Sequence, residues 1–264
     1  MPQHRQSSNL VALVTGGSRV IGCVVAMQLA QRDMRIALHY RNNRNAAESA
    51  LARLPGSGHA LFEADLADPA ATTRLWQRVL EKQGSIDVLV NNAGEYIMHA
   101  PLSTDLESWQ FAWQRTLATN LHAPANLSLL AAQHMAARPD PLDTAFGRGR
   151  IVNVSSRGAF RGEPDAPAYG ASKAGLNALS QSLAKALAPQ AIYVYCVAPG
   201  WVATDMAESH LSGPEGRAIL EQHPLGRVNR ADEVAQAIVY CALDAPAAMT
   251  GAVIDVNGAS YLRT

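Results

Sequence analysis

Short apolar runs alternate with helix-length amphipathic stretches along the whole chain. Residues 10–14 are apolar and stop at Thr15-Gly16-Gly17, which predicts a strand, a tight turn and then a helix over 20–31. Residues 35–40 predict a second strand. Residues 60–64 and 87–90 predict a third and a fourth, with a helix over 69–83 between them. Residues 105–137 predict one long helical region, irregular near Pro124. Strands follow at 150–154 and 191–197. Between them Leu176, Leu179, Leu183 and Leu187 recur at spacings of three and four, giving one apolar helical stripe. A helix over 231–243 and a strand over 252–256 close the pattern. Strands alternating with crossover helices imply a single doubly wound α/β domain over 1–264, with a parallel sheet flanked by helices. Residues 138–149, rich in Pro, Asp and Gly, predict a surface loop. Residues 206–227 contain Gly213-Pro214 and His223-Pro224 and predict a flap, and 1–8 a flexible N-terminus.

Composition removes several classes of function. The chain has 22 basic and 22 acidic side chains, so its net charge gives no reason to expect nucleic acid or an anionic membrane as partner. No apolar run approaches the roughly 18 residues of a spanning helix. Met1 to Asn9 lack the apolar stretch of a signal peptide, so the expectation is a cytoplasmic protein. Cys23, Cys196 and Cys241 lie far apart without a CxxC pair, which argues against a structural metal site or a disulfide framework. Only three of the basic residues are lysines, Lys82, Lys173 and Lys185.

The turn after the first strand is Thr15-Gly16-Gly17-Ser18-Arg19-Val20-Ile21-Gly22. Strand, glycine-rich turn and helix is the arrangement that sets a pyrophosphate on backbone N–H groups at a helix N-terminus. Such turns also join strands to helices for steric reasons alone. No Gly-Lys-Ser/Thr follows, which excludes a P-loop, and Val20 breaks the G-x-S-x-G pattern of a nucleophile elbow. A dinucleotide fold specific for NAD offers an acid at the end of the second strand. Here the residues are His39-Tyr40-Arg41-Asn42-Asn43-Arg44, with no acid. Arg41, helped by Arg19, is suited to pair with a 2′-phosphate, or else both are solvated surface charges. The missing acid favours NADP(H) over NAD(H). Asp65 either accepts from an adenine amino group or caps the helix beginning near Pro69.

Tyr169-Gly170-Ala171-Ser172-Lys173 puts a phenol and an ammonium on one helix face. A cation beside a phenol favours phenolate and lowers a pKa that is otherwise near 10. A tuned tyrosine protonates a carbonyl oxygen as hydride reaches the carbon. Taken with the residues around them, these motifs resemble the classical short-chain dehydrogenase/reductase family across nearly the whole chain. The first turn is similar to its TGxxxGxG. Asn91-Asn92-Ala93-Gly94 matches its NNAG, and Asn120 stands where its helix Asn does. Ser156 lies thirteen residues before Tyr169, and Pro199-Gly200 is followed by Thr204.

The resemblance implies a Rossmann-type fold and a role for each matching residue. Tyr169 would be the acid or base, and Lys173 would lower its pKa and hold the nicotinamide ribose. Ser156 would donate to the substrate oxygen, or be a strand-end turn residue. Asn120 would hold a water linking Lys173 to solvent, or serve as a hydrogen bonder at a helix bend. Gly16, Ser18, Arg19, Val20, Ile21, Arg41, Asn42, Asn43, Asp65 and Leu66 would line the cofactor. So would Asn92, Ala93, Gly94, Tyr169, Lys173, Pro199, Gly200, Val202 and Thr204. Asn91 would be structural, bridging neighbouring strands. Val20 departs from the family, because it replaces a glycine that lets backbone approach the diphosphate, and it should force a slightly different turn or a looser contact.

Candidate substrate contacts come from loops after strands: Glu95, Tyr96 and Met98, then Arg157, Phe160 and Arg161, and Trp201 with the flap. Arg157 and Arg161 either bind a carboxylate or phosphate or are solvated. Trp109 and Trp113 are expected to pack, at a subunit interface if there is one. No metal is implied. The expected activity is NADP(H)-dependent reduction of a carbonyl to an alcohol, run reversibly, on a 3-oxoacyl thioester, a pterin or another small ketone. The competing reading is a catalytically idle NADP(H)-binding sensor or assembly partner. The family also implies a homotetramer or homodimer.

Overall fold

The computed structural model describes residues 10–138, 141, 145–203 and 216–263. Seven parallel strands form one sheet: β1 (Val11–Val14), β2 (Arg35–Tyr40), β3 (Ala60–Glu63), β4 (Val88–Asn91), β5 (Gly149–Val154), β6 (Ile192–Pro199) and β7 (Val253–Val256). Their spatial order is β3-β2-β1-β4-β5-β6-β7. The order reverses between β1 and β4, which opens a crevice at the carboxyl ends of those strands. Pairing is parallel throughout, with Val11 beside Arg35 and Asn91 beside Asn153.

Alternation along each strand feeds two cores. Ala12, Val14, Val88 and Val90 face one side, where α1 (Val20–Ala30) packs against α9 (Ala231–Val239). Leu13, Leu89 and Ile151 face the other, covered by α3 (Pro69–Gln83), α5 (Ala123–Ala136) and α7 (Pro167–Leu187). Burying both faces is why the strands are apolar without a polar side. Among the described residues no helix is long and apolar enough to cross a membrane.

Three predicted segments differ. Residues 44–52, left unassigned in the sequence, form α2 (Arg44–Ala52), capped by Asn43, whose Oδ1 accepts from the Ala46 N–H at 3.0 Å. Its buried face is only Ala47 and Ala50, too little apolar contrast to register as a period. The long helical region is two helices, α4 (Leu106–Leu117) and α5, joined by a π-helical turn over Ala118–His122. The irregularity lies just before Pro124 and carries Asn120. The leucine stripe of α7 is not its most buried face. Leu176 is buried, but Leu179, Leu183 and Leu187 are only partly so, while Ser172, Lys173, Asn177 and Ser180 are buried. Polar groups sit there because they bond inward. Asn91 donates to Asn153 Oδ1 at 2.8 Å, and Asn153 donates to Ser180 Oγ at 2.8 Å, so Asn91 does bridge β4 and β5.

A short helix α6 (Gly158–Arg161) follows β5, and α8 (Gly216–Glu221) precedes the turn at His223-Pro224. The first part of the predicted flap, Thr204, and residues 1–8 lie outside the described residues.

Candidate active site

The first turn is pinned from three sides. Thr15 Oγ1 accepts from the Asn92 and Ala93 N–H groups at 2.9 and 3.0 Å, and Asn92 Nδ2 donates to the Thr15 carbonyl at 2.9 Å. Gly16, at φ +64°, donates its N–H to His39 Nδ1 at 3.0 Å. His39 Nε2 lies 3.0 Å from the Ala64 carbonyl. Since Nδ1 accepts, Nε2 carries the proton and donates. His39 is buried and held neutral, its pKa lowered to about 4 by desolvation. A Cβ on Gly22 would fall 2.3 Å from the Gly16 carbonyl oxygen, so only glycine closes this turn. Val20 sits at φ +42°, a left-handed conformation rare for a β-branched residue. The different turn expected of Val20 is thus a strained one. The N-terminus of α1 has no side-chain cap and no acid in its first turn, which leaves its N–H groups open to an anion. Leu66 is buried in the second core, and Asn42 is exposed.

At the outer end of the crevice four charges form a chain. Arg41 contacts Glu95, Arg115 holds Glu95 through two hydrogen bonds of 2.8 and 2.9 Å, and the same guanidinium holds Asp65 at 2.8 and 3.0 Å. The Arg115 hydrogen bonds hold the Asp65 carboxyl below its usual range. Two expectations are corrected here. Asp65 does not cap α3: Asp68 does, accepting from the Ala70 N–H at 2.8 Å. Glu95 does not point to substrate, because two guanidinium groups draw its carboxylate toward the end of β2. Arg115 was invisible in the sequence, since nothing local ties a residue of α4 to Asp65. Arg19 is exposed.

At the inner end Asn120, Lys173 and Gly94 converge. A Cβ on Gly94 would stand 3.4 Å from Asn120 Oδ1 and 3.5 Å from Lys173 Nζ. Asn120 clamps the backbone of Glu95, accepting from its N–H at 2.8 Å and donating to its carbonyl at 2.9 Å. It also donates to Ser172 Oγ at 3.2 Å. Lys173 Nζ donates to the Val154 carbonyl at 2.8 Å and lies 5.7 Å from the centre of the Tyr169 ring. Burial brings the Lys173 pKa down to about 8.

The Tyr169 phenol is pushed up by burial, drawn down by a hydrogen bond with Ser156, and pushed up again by Glu163; the net direction is upward. The expected lowering by Lys173 is therefore not met in the protein by itself: the downward pull on the phenol comes from Ser156, and desolvation outweighs it. Ser156 Oγ also accepts from the Gly158 N–H at 3.0 Å. Tyr96 meets Tyr169 edge-on, centroids 5.0 Å apart. His99 accepts from the Ala168 N–H at 3.1 Å and so fixes the start of α7 one residue before Tyr169. Trp109 and Trp113 pack against His99 at 5.2 and 6.5 Å.

Of the remaining candidates, Pro199 ends β6 and Gly200 donates to the Val256 carbonyl at 3.0 Å. Val202 bridges to Asn229, and Trp201 accepts from the Asn229 N–H at 2.9 Å. Phe160 stacks on Tyr261 at 6.5 Å rather than standing free, and Met98 is exposed. Arg157 is buried at 3% exposure, which corrects the solvated reading; Arg161 is exposed.

A family described as Enoyl-(Acyl carrier protein) reductase matches residues 16–259, a span holding every motif above but Thr15 of the first turn. The chain belongs to the short-chain dehydrogenase/reductase family. It is therefore an oxidoreductase. Within this dehydrogenase/reductase family it is 33% identical over 253 residues to a 3-oxoacyl-[acyl-carrier-protein] reductase of Staphylococcus aureus, covering 95% of this chain and 98% of the relative. The corresponding Escherichia coli reductase is 33% identical over 252 residues, covering 96% and 97%. A crystal structure of a short chain dehydrogenase from Burkholderia cenocepacia in complex with NADP superposes with a TM-score of 0.83. It is 32% identical, and the match covers 97% of this chain and 99% of that one.

Proposed function

We propose that this short-chain dehydrogenase/reductase is an NADP(H)-dependent carbonyl reductase, reversible as an alcohol dehydrogenase, with Tyr169 as its general acid and base. The observation that carries the reading is the buried Lys173 ammonium 5.7 Å from the ring of Tyr169, a phenol whose pKa Ser156 draws down. A nicotinamide held there would supply or accept the hydride. Tyr169 donates its O–H proton to the carbonyl oxygen, and the Ser156 hydroxyl donates to the same oxygen as negative charge develops there. Lys173 stabilises the phenolate left behind. Burial keeps Tyr169 protonated at neutral pH, the form that reduction needs. Alcohol oxidation needs the phenolate and gains with rising pH.

The donor set fits a dinucleotide. The uncapped N-terminus of α1 suits a diphosphate, and the end of β2 offers Arg41 in place of an acid. Gly94 and Lys173 would take the nicotinamide end. The NADP held by the Burkholderia relative supports the phosphorylated cofactor, and the two acyl-carrier reductases support a 3-oxoacyl thioester among the substrates. The chain reads as one domain over 1–264, assembled as a homodimer or homotetramer.

The test is an NADPH-oxidation screen against ketones, diketones, oxoacyl thioesters and pterins, repeated with NADH. Turnover with NADPH and an NADPH preference of about tenfold, worth ~1.4 kcal/mol, is the expected result. Tight NADPH binding beside no turnover across the panel would instead favour an idle sensor.

A further inference from the structure

Arg157 and Arg161 both donate to one neutral atom. Arg157 Nη2 lies 3.1 Å and Arg161 Nη1 2.9 Å from Gln222 Oε1. The amide orientation is set by Gln222 Nε2, which donates to the Ala218 carbonyl at 3.1 Å. Neither guanidinium has an ion pair among the described residues, and Arg157 Nη1 is buried with no hydrogen-bond partner. Beside it His223 Nδ1 lies 2.7 Å from the Ile219 carbonyl, while its Nε2 is buried and unpartnered too. A buried arginine is ordinarily matched by a carboxylate. Here two cations share an amide oxygen, with the Glu163 carboxylate acting on them only at a distance.

We propose that Arg157 and Arg161 form a binding site for an anionic group, a carboxylate or a phosphate, carried by the ketone substrate, with Gln222 occupying the anion's place when substrate is absent. The proposal rests on the catalytic reading above and narrows its substrate class. Position supports it. Arg157 directly follows Ser156, and its N–H donates to the Pro199 carbonyl at 2.8 Å, so the side chain is rooted where β5 and β6 end. The charge state supports it as well: burial and then the neighbouring Arg161 bring the Arg157 pKa down to about 10, and the distant Glu163 offsets this only in part. An anion there would satisfy Nη1 and both guanidinium forks in charge-assisted bonds. Gln222 is exposed and stands on the segment after α8, so it can leave without disturbing the sheet.

The test uses matched ketones: a 3-oxo chain ending in a carboxylate or in the isosteric carboxamide, and a 3-oxoacyl pantetheine thioester with or without its phosphate. We expect one anionic member to show a KM about tenfold below its neutral partner at low salt, with kcat changed far less. Which pair shows it tells a small keto acid from a phosphate-bearing carrier arm. The ratio should fall toward unity in Arg161→Gln and in Gln222→Glu, which supplies an internal carboxylate; both positions are exposed, so folding is spared where Arg157→Met risks it. Equal KM values within both pairs, or a preference that both variants retain, would overturn the proposal. Calorimetric titration of the Tyr169→Phe chain with the same compounds separates the two readings. Arg161-dependent binding of an anionic member, beside a wild-type chain that reduces no ketone, keeps the anion site and removes the catalytic assignment. No binding of either anionic member removes the anion site.

Discussion

Lys173 holds its ammonium 5.7 Å from the centre of the Tyr169 ring while donating to the Val154 carbonyl at 2.8 Å. That bond ties the cation to the end of β5, two residues before Ser156. The cation is thus fixed to the strand end that leads into Ser156. Replacing Tyr169 with Phe removes the acid and leaves this scaffold standing. Turnover should fall by about 10² to 10⁴, while NADPH affinity measured by fluorescence titration stays within a factor of about three. Wild-type turnover under chemistry-limited conditions would exclude Tyr169 as the acid.

A buried lysine destabilises the fold it serves. Its pKa is about 8 in the folded chain against an ordinary 10.5. The unfolded chain therefore binds more protons between pH 8 and 10.5, so stability rises with pH through that window. Below pH 8 the whole penalty, about 3 kcal/mol, is present. Lys173→Met should be inactive yet more stable, by about 1 to 3 kcal/mol at pH 7, with the gain shrinking toward pH 10. Urea denaturation at the two pH values measures it. A variant less stable at pH 7 would mean that the bond to Val154 outweighs the desolvation.

Val20 is a β-branched residue at φ +42°. Left-handed backbone destabilises such a residue by about 1 to 2 kcal/mol, partly offset in a glycine variant by greater freedom of the unfolded chain. Val20→Gly should therefore be neutral to about 1 kcal/mol more stable, and should bind NADPH more tightly because the backbone can approach the phosphates. Val20→Ala keeps the strained conformation and should gain neither. Denaturation and cofactor titration of the pair decide it; equal behaviour of Gly and Ala would point to the side chain rather than the backbone.

The strands and the motif residues were legible because their signals are local. Alternating apolar runs mark β1 to β7, and Asn91 to Gly94, Ser156, Tyr169 and Lys173 carry fixed spacings. What escaped depends on contacts distant in sequence. Asn120 reads as a water holder or a hydrogen bonder at a helix bend; it does bond from a π-helical turn, but its partner, the Glu95 backbone, is not legible in the sequence. Arg115 reaches Asp65 across 50 positions. His39 looked like part of a strand, although its ring joins β2 to the Gly16 turn. The pKa direction at Tyr169 was also hidden, because burial is a property of packing and not of the Tyr-x-x-x-Lys spacing.

The chain Arg41, Glu95, Arg115 and Asp65 bears on cofactor choice. Glu95 places a negative charge against the guanidinium proposed to meet the 2′-phosphate, and Arg115 holds it there. Arg41→Ser should reduce the NADPH over NADH preference about tenfold, or ~1.4 kcal/mol. Glu95→Gln should raise it, since the repulsion is gone while Arg115 and Asp65 remain paired. Both effects should shrink at high salt, because Arg41 is half exposed. Ratios of kcat/KM for the two cofactors at 50 and about 500 mM salt give the answer. A lower preference in Glu95→Gln would show that Glu95 positions Arg41 rather than competing for it.

His39 makes the first turn sensitive to acid. Its neutral ring accepts from Gly16 and donates to Ala64; protonation puts a hydrogen on Nδ1 and breaks the Gly16 bond. The folded pKa of about 4 lies below the ordinary 6.5, so the unfolded chain takes up the proton first. Stability from this residue is complete above pH 6.5 and is lost as the pH falls toward 4, a change of about 3 kcal/mol. NADPH affinity should weaken over the same interval, because Gly16 belongs to the turn proposed to meet the diphosphate. His39→Gln can still accept from Gly16 through its amide oxygen and does not titrate. Its unfolding free energy should therefore fall less between pH 7 and 4.5 than that of the wild type, and the difference between the two slopes isolates His39 from every other group. Identical slopes would place the acid sensitivity elsewhere.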